Sequence, residues 1–263
     1  MTGAVRIEFR HVSKRFPSQQ KGGEGVTAVK DVTLSIHDGE VVSLIGPSGC
    51  GKSTLLNMGS GLYLPSEGEV LVDGQPVTGP NQQVAFMWQK DLLLPWRSIR
   101  ENVEFGLEIH GVDQAERRRR STSLIERCRL KGFENHYPHQ LSGGMRQRAA
   151  LARTLSVEPL VLLMDEPFSA LDAQTKMVLQ GDLAKTLAET RKTTLFITHD
   201  LIESVALSDR VLVMSQRPGR IVKEFTVDLP DRDDPFSRRQ HPRIIEYVKE
   251  LTALLDISHQ ELH

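Results

Sequence analysis

The chain has 263 residues, 39% of them hydrophobic and 25% charged, enough for one large or two small domains with a substantial core. Its 33 basic and 34 acidic residues leave a formal charge of -1, which gives no global case for nucleic-acid binding or for a polybasic membrane anchor. Apolar runs such as residues 160–164 (LVLLM) fall far short of the roughly 20 residues that cross a bilayer. The N-terminus MTGAVRIEFRH has no secretory pattern, and Cys50 and Cys128 form no CxxC pair, so a reduced, cytosolic chain without its own membrane span is expected.

In chain order, Val5, Ile7 and Phe9 alternate with Arg6, Glu8 and Arg10, the period-two pattern of a half-buried strand. Val32, Leu34 and Ile36 repeat it, which predicts a small antiparallel N-terminal sheet covered on one face. Residues 17–25 (PSQQKGGEG) between them read as a loop. Continuous apolar runs then replace alternation at residues 41–45, 160–164, 195–197 and 211–214. Such runs suit parallel strands buried on both faces with helices between them, so the fold class is α/β. Residues 112–140 are charged, with Arg117 to Arg120 in a row and Leu124, Ile125 and Cys128 at helical spacing, and read as a helical insertion in that core. The four arginines suit a solvated helix face, the usual meaning of a charge run, or a contact for an acidic partner. After Leu229 the string PDRDDP reads as a linker. Beyond it Ile244, Val248, Leu251 and Leu255 recur at i, i+4, i+7 and i+11, the stripe of an amphipathic helix that packs on the chain's own core.

The first chemical signal is Gly46-Pro47-Ser48-Gly49-Cys50-Gly51-Lys52-Ser53, a match to GxxxxGK[ST] placed between the strand at 41–45 and the helix-compatible stretch from Thr54 to Met58. Glycines in that setting let consecutive backbone N–H groups turn inward around phosphate oxygens at a helix N-terminus. Lys52 is expected to reach the β- and γ-phosphates and the Ser53 hydroxyl to ligate Mg²⁺. Cys50 reads as a small filler within the loop. The second signal is the run 160–164 leading straight into Asp165 and Glu166. Ligands in open α/β sheets bind beyond the carboxyl ends of strands. Adjacent strand residues point to opposite sides, which lets the two acids take different roles: Asp165 fits the Mg²⁺-supporting aspartate and Glu166 a base or orienter for the attacking water.

The third signal is Leu141-Ser142-Gly143-Gly144-Met145, which opens a helix with Ser142 as its cap and exposes amides at the helix's positive end, a second anion site. Here the sequence resembles the ATP-binding subunits of ABC transporters, whose signature is LSGGQ, over roughly residues 7–219 and with the family's motifs in order. The resemblance implies a P-loop NTPase core with a mostly parallel sheet, an N-terminal antiparallel β-subdomain and a helical subdomain at about 90–158. These together make an ATP-binding domain of residues 1–229, followed by a linker and C-terminal helix at 230–263. It also implies that Phe16 stacks on adenine, where tyrosine is more usual. Gln89 is the glutamine that touches Mg²⁺ or water and links the site to membrane subunits, Asp172 belongs to the D-loop, and His199 contacts the γ-phosphate. Met145 stands where the signature has glutamine, so that side-chain contact does not carry over.

In this family the signature of one subunit caps ATP on the phosphate loop of another, and only one motif set is present. The resemblance therefore implies a second ATPase subunit as partner, with integral-membrane permease subunits and a periplasmic or secreted solute-binding protein. The location it implies is the cytoplasmic face of the inner membrane. The strings at 93–103 (LLPWRSIRENV) and 217–221 (RPGRI) are similar to the nitrate, sulfonate and taurine importer group. A soluble ATPase clamp that grips another macromolecule through Arg117 to Arg120 is the alternative.

Overall fold

The computed structural model describes residues 3–18, 25–169 and 171–260, with side chains described to residue 255. The chain runs β1 (Val5–Phe16), β2 (Val26–His37), β3 (Val41–Ile45), α1 (Lys52–Gly59), β4 (Glu67–Val72), β5 (Gln75–Pro76) and β6 (Val84–Met87). It continues through α2 (Ile99–Ile109), α3 (Gln114–Arg127), a 3-10 turn (Pro138–Gln140), α4 (Gly143–Ser156), β7 (Val161–Asp165), α5 (Ala173–Thr190) and β8 (Thr193–Ile197). Then follow α6 (Leu201–Leu207), β9 (Arg210–Met214), β10 (Ile221–Thr226), α7 (Pro235–Gln240) and α8 (Ile244–Gln260). The loop expected at 17–25 falls mostly on residues 19–24, outside the described residues.

The alternating segments pair antiparallel, Ile7 opposite Ile36 and Phe9 opposite Leu34, in a sheet of order β2-β1-β4-β5. The continuous apolar runs form the second sheet, of order β10-β9-β3-β8-β7-β6, in which β9, β3, β8, β7 and β6 are parallel and β10 is an antiparallel edge. All five residues of β3 and of β8 are buried because both faces of the sheet are covered. On one face Val42 and Leu44 meet Leu55, Leu56 and Met58 of α1 and the inner face of the antiparallel sheet. On the other, Leu162 and Met164 meet Ala149, Ala152 and Leu155 of α4 and Leu179 and Leu183 of α5. Truncating a fully buried residue such as Leu56 to alanine costs about 2–5 kcal/mol, and this double-sided packing fixes where the strand ends lie.

Two sequence expectations change. The insertion at 112–140 is helical only in its first half: α3 ends at Arg127, and the chain then turns through Gly132 before Pro138 starts the 3-10 turn. The backbone there closes instead onto α2, with Ile99 N donating to His136 O at 2.8 Å and Arg100 N to Glu134 O at 2.9 Å. The PDRDDP string is an anchored turn, not a free linker. Arg232 pairs with Asp209 at 3.0 Å, Asp234 caps α7, and buried Arg238 donates to the carbonyls of Ser208, Leu229 and Pro230. The apolar stripe of α8 packs as expected, with Ile244 and Leu251 buried against Val205 and Phe225. Within the arginine run, Arg119 and Arg120 fold back onto Glu116, and Arg120 also meets Glu158. The two arginines hold the Glu116 carboxyl down at about 2. No helix among the described residues is long and apolar enough to cross a membrane.

Candidate functional site

Four of the parallel strands, β3, β7, β8 and β9, deliver residues at their carboxyl ends to one cavity of about 640 Å³. From β3 come Gly46, Ser48, Gly49 and Gly51, with Lys52, Ser53 and Thr54 on the first turn of α1; from β7 come Asp165 and Glu166; from β8, His199; from β9, Arg217. Phe16, Val26 and Ala28 of the antiparallel sheet close the other side.

The start of α1 is built for an anion. Its N-cap is Gly51, at φ 109°, where a Cβ would lie 2.7 Å from the Ala28 carbonyl oxygen, so only glycine fits. Helices α2, α3, α4, α5 and α6 each begin on a side-chain oxygen, from Ser98, Asp113, Ser142, Asp172 and Asp200, that accepts a first-turn N–H. The α1 cap has no side chain, which leaves its first-turn donors and the positive end of its dipole to the cavity. Lys52 Nζ donates to the carbonyls of Gly46 and Pro47, at 2.8 Å each, which holds the ammonium across the mouth of the loop. The Pro47 and Cys50 side chains do not line the cavity. Cys50 is 1% exposed, and burial pushes its thiol up, which suits a filler and not a reactive thiolate.

The acids are arranged differently from the strand alternation expected. Asp165 ends β7, but Glu166 takes a left-handed φ of 45° that turns the chain, so both carboxyls face the same cavity. A non-glycine residue in that region costs energy and marks a place where the surroundings over-determine the backbone; here Glu166 N donates to Ile197 O at 3.1 Å. Burial pushes the Asp165 carboxyl up, against a smaller lowering by the Ser53 hydroxyl hydrogen bonded to it. Glu166 Oε2 accepts from Gln89 Nε2 at 3.0 Å and lies 3.5 Å from His199 Nδ1.

Gln89 follows β6 and reaches the cavity only through Glu166; its Nε2 also donates to Ser169 Oγ at 3.0 Å. Its carbonyl accepts from the buried Gln147 side chain of α4 at 2.9 Å, and Arg153, also on α4, donates to the carbonyls of Asp91 and Leu92. The segment leaving β6 is thus fastened to the helix that Ser142 caps. Phe16 meets Tyr63 edge to face, ring centroids 5.6 Å apart, with Lys14 Nζ 5.4 Å from the Phe16 centroid.

The signature glycines lie apart from this cavity. Ser142 Oγ accepts from Met145 N at 3.3 Å, and Asp172 Oδ1 from Thr175 N at 3.0 Å. A Cβ on Gly144 would lie 2.3 Å from Thr175 Cγ2, so the starts of α4 and α5 abut. Gly143 lines a second cavity, of about 530 Å³, with Gln89, Asp91 and Arg146. Ala170, within the D-loop string, is outside the described residues.

Among the described residues no cluster of three or more His, Cys, Asp or Glu is arranged to hold a metal by itself. The Ser53 hydroxyl and the Asp165 carboxylate are hard oxygen donors already in contact. That small set fits Mg²⁺, which keeps few protein oxygens and completes its shell with phosphates and water.

A family model described as ABC transporter matches residues 29–169. The chain is 43% identical over 251 residues to the ABC transporter ATP-binding protein MJ0412 of Methanocaldococcus jannaschii, which covers 95% of this chain and 91% of that one. It is 44% identical over 209 residues to the taurine import ATP-binding protein TauB of Yersinia pestis, covering 80% and 82% of the two chains. Among solved structures, the dimeric post-hydrolysis state of the ATP-binding cassette MJ0796 bound to ADP and Pi matches with a TM-score of 0.74 at 33% identity. That match covers 85% of this chain and 99% of the other.

Proposed function

This chain belongs to the ABC transporter family as an ATP-binding, ATP-hydrolysing subunit, and from that premise we propose that it drives a prokaryotic importer as a head-to-tail homodimer. The observation that carries the reading is the convergence of Lys52, Ser53, Asp165, Glu166 and His199 on one cavity at the carboxyl ends of three strands. In it the amides of residues 46–54 and Lys52 hold the ATP phosphates, and the ring of Phe16 stacks on the base. Ser53 and Asp165 hold Mg²⁺, which when bound neutralises charge developing on the transferring phosphoryl group. Glu166 accepts a proton from the attacking water, or orients it, as ATP and water become ADP and phosphate; a positioned base contributes about 10²–10⁴-fold. Gln89 and His199, both against Glu166 Oε2, position that carboxylate, and His199, which lines the cavity, faces the γ-phosphate.

Ser142, Gly143 and Gly144 serve the cavity of a second copy, because in their own chain they lie apart from it. Donors arriving from the opposite side stabilise charge where it develops, and closing the dimer couples ATP binding to movement of the membrane subunits. Those permease subunits dock on the stretch following Gln89, where Leu92 and Trp96 are 52% and 72% exposed. Such a dimer sits at the cytoplasmic face of the membrane, with a solute-binding protein completing the system. The likeness to a taurine import protein supports a small solute of the nitrate, sulfonate or taurine kind as cargo. Within the arginine run Arg119 and Arg120 are already paired with Glu116 and Glu158, which gives the macromolecular clamp no support.

Co-purification of the tagged chain from detergent-solubilised membranes tests the transport assignment. An integral-membrane partner whose crosslinks map to residues 89–97 is expected. Retention of no membrane protein, or crosslinks confined to the opposite face, refutes it.

A further inference from the structure

We propose that Arg217 is a nucleotide-binding residue, a second fixed positive charge on the cavity wall that contacts the phosphate chain of the nucleotide. The inference rests on reading this cavity as the ATP site.

Arg217 follows β9, the neighbour of β3 in the parallel sheet, so it emerges beyond a strand's carboxyl end beside the phosphate loop. It sits in a turn closed on itself, Ser215 N donating to Arg220 O at 2.9 Å and Arg220 N to Ser215 Oγ at 3.0 Å. The turn is wedged between β2 and the phosphate loop. Gly219 N donates to Ala28 O and Gly219 O accepts from Lys30 N, both at 3.0 Å. A Cβ on Gly219 would lie 2.1 Å from the Cys50 carbonyl oxygen, so backbone rests directly on backbone there. A side chain in such a turn moves with the loop that holds the phosphates.

The guanidinium itself is fixed on that loop: Nε and Nη2 donate to the Gly49 carbonyl oxygen at 3.2 and 3.1 Å. A guanidinium carries five N–H donors, so three remain. Among the described residues no carboxylate pairs with Arg217, although it lines the same cavity as Asp165 and Glu166. Lys52, the other cation on that wall, has its ammonium on the carbonyls of Gly46 and Pro47. A planar cation with free donors, no counter-ion and a tethered position fits a phosphate oxygen, which it can meet in a bidentate fork.

The test is equilibrium binding of Mg²⁺-ATP to the full chain and to the Arg217→Ala, Arg217→Gln, Arg217→Lys and Lys52→Ala variants, repeated at several salt concentrations. Arg217→Gln keeps a donor for the Gly49 oxygen but removes the charge. The inference expects Arg217→Ala and Arg217→Gln to weaken ATP binding about tenfold with a shallower salt dependence, and Arg217→Lys to recover most of the loss. It also expects the melting temperature of the nucleotide-free chain to stay within about 2 °C of wild type. Wild-type affinity and salt slope in Arg217→Gln overturn it and leave Arg217 as a brace for the loop. Wild-type affinity in Lys52→Ala instead overturns the ATP-site reading on which the inference rests, so the two failures are distinguishable.

Discussion

Gln89 Nε2 donates to Glu166 Oε2 at 3.0 Å, joining the end of β6 to the end of β7 across 77 positions of sequence. The same Glu166 oxygen lies 3.5 Å from His199 Nδ1, at the end of β8, so one carboxylate oxygen is held from two neighbouring strands. Gln89 and His199 thus both meet Oε2, and among the described residues no side chain is hydrogen bonded to Glu166 Oε1.

Gln89 is in turn positioned from α4, where buried Gln147 donates to its carbonyl at 2.9 Å. Gln147→Leu preserves the volume and removes the donor that holds the Gln89 carbonyl. Turnover should fall about tenfold with KM for ATP little changed, measured as phosphate release. Wild-type turnover in a folded Gln147→Leu chain would mean that the clasp on Gln89 has no part in hydrolysis.

Burial raises the Asp165 carboxyl, with the Ser53 hydroxyl opposing, so the net folded value lies above the ordinary 3.8. The unfolded chain therefore releases this proton first as pH rises, and the stability Asp165 contributes in its protonated form is lost as pH climbs through the folded value. Asp165→Asn should raise the melting temperature at pH 7 without added metal, flatten its pH dependence above pH 4, and abolish most Mg²⁺-dependent hydrolysis. A melting temperature below wild type at pH 7 but equal to it at pH 4 has the opposite sign and refutes the argument.

Arg238 is 3% exposed and satisfies three carbonyls, those of Ser208, Leu229 and Pro230. Arg238→Ala leaves them without that donor, at about 3–5 kcal/mol in sum, which corresponds to a melting temperature lower by about 10 °C. Hydrogen exchange should then rise first in α7 and α8, since that one side chain ties their approach to the core. A shift under about 2 °C would show the tail to be held by the Ile244 and Leu251 packing alone.

Much of the site was legible in the sequence because its parts are local strings: a glycine-rich turn after β3, two acids after β7, a histidine after β8, a serine before two glycines. The runs that became β3, β7, β8 and β9 could be read because strands covered on both faces need no polar side. Strands with an exposed face escaped: β4 opens with three exposed residues, β6 has four residues, and β10 carries Lys223 and Glu224 outward. The contact of Gln89 with Glu166 depends on β6 lying beside β7, and that of Arg217 with Gly49 on β9 lying beside β3. Neither adjacency is written in local spacing. The expectation that Asp165 and Glu166 point to opposite sides failed because Glu166 leaves the strand with a positive φ, which a pattern argument cannot anticipate.

The central claim is that Glu166 drives hydrolysis of ATP held between two copies of this chain. Glu166→Gln keeps the side-chain shape and removes the base, so Mg²⁺-ATP should be hydrolysed about 10²–10⁴-fold more slowly while still binding. Light scattering of that variant should then read twice the monomer mass in ATP and the monomer mass in ADP. Phosphate release by Glu166→Gln at the wild-type rate, or a monomer with ATP bound, would contradict the account.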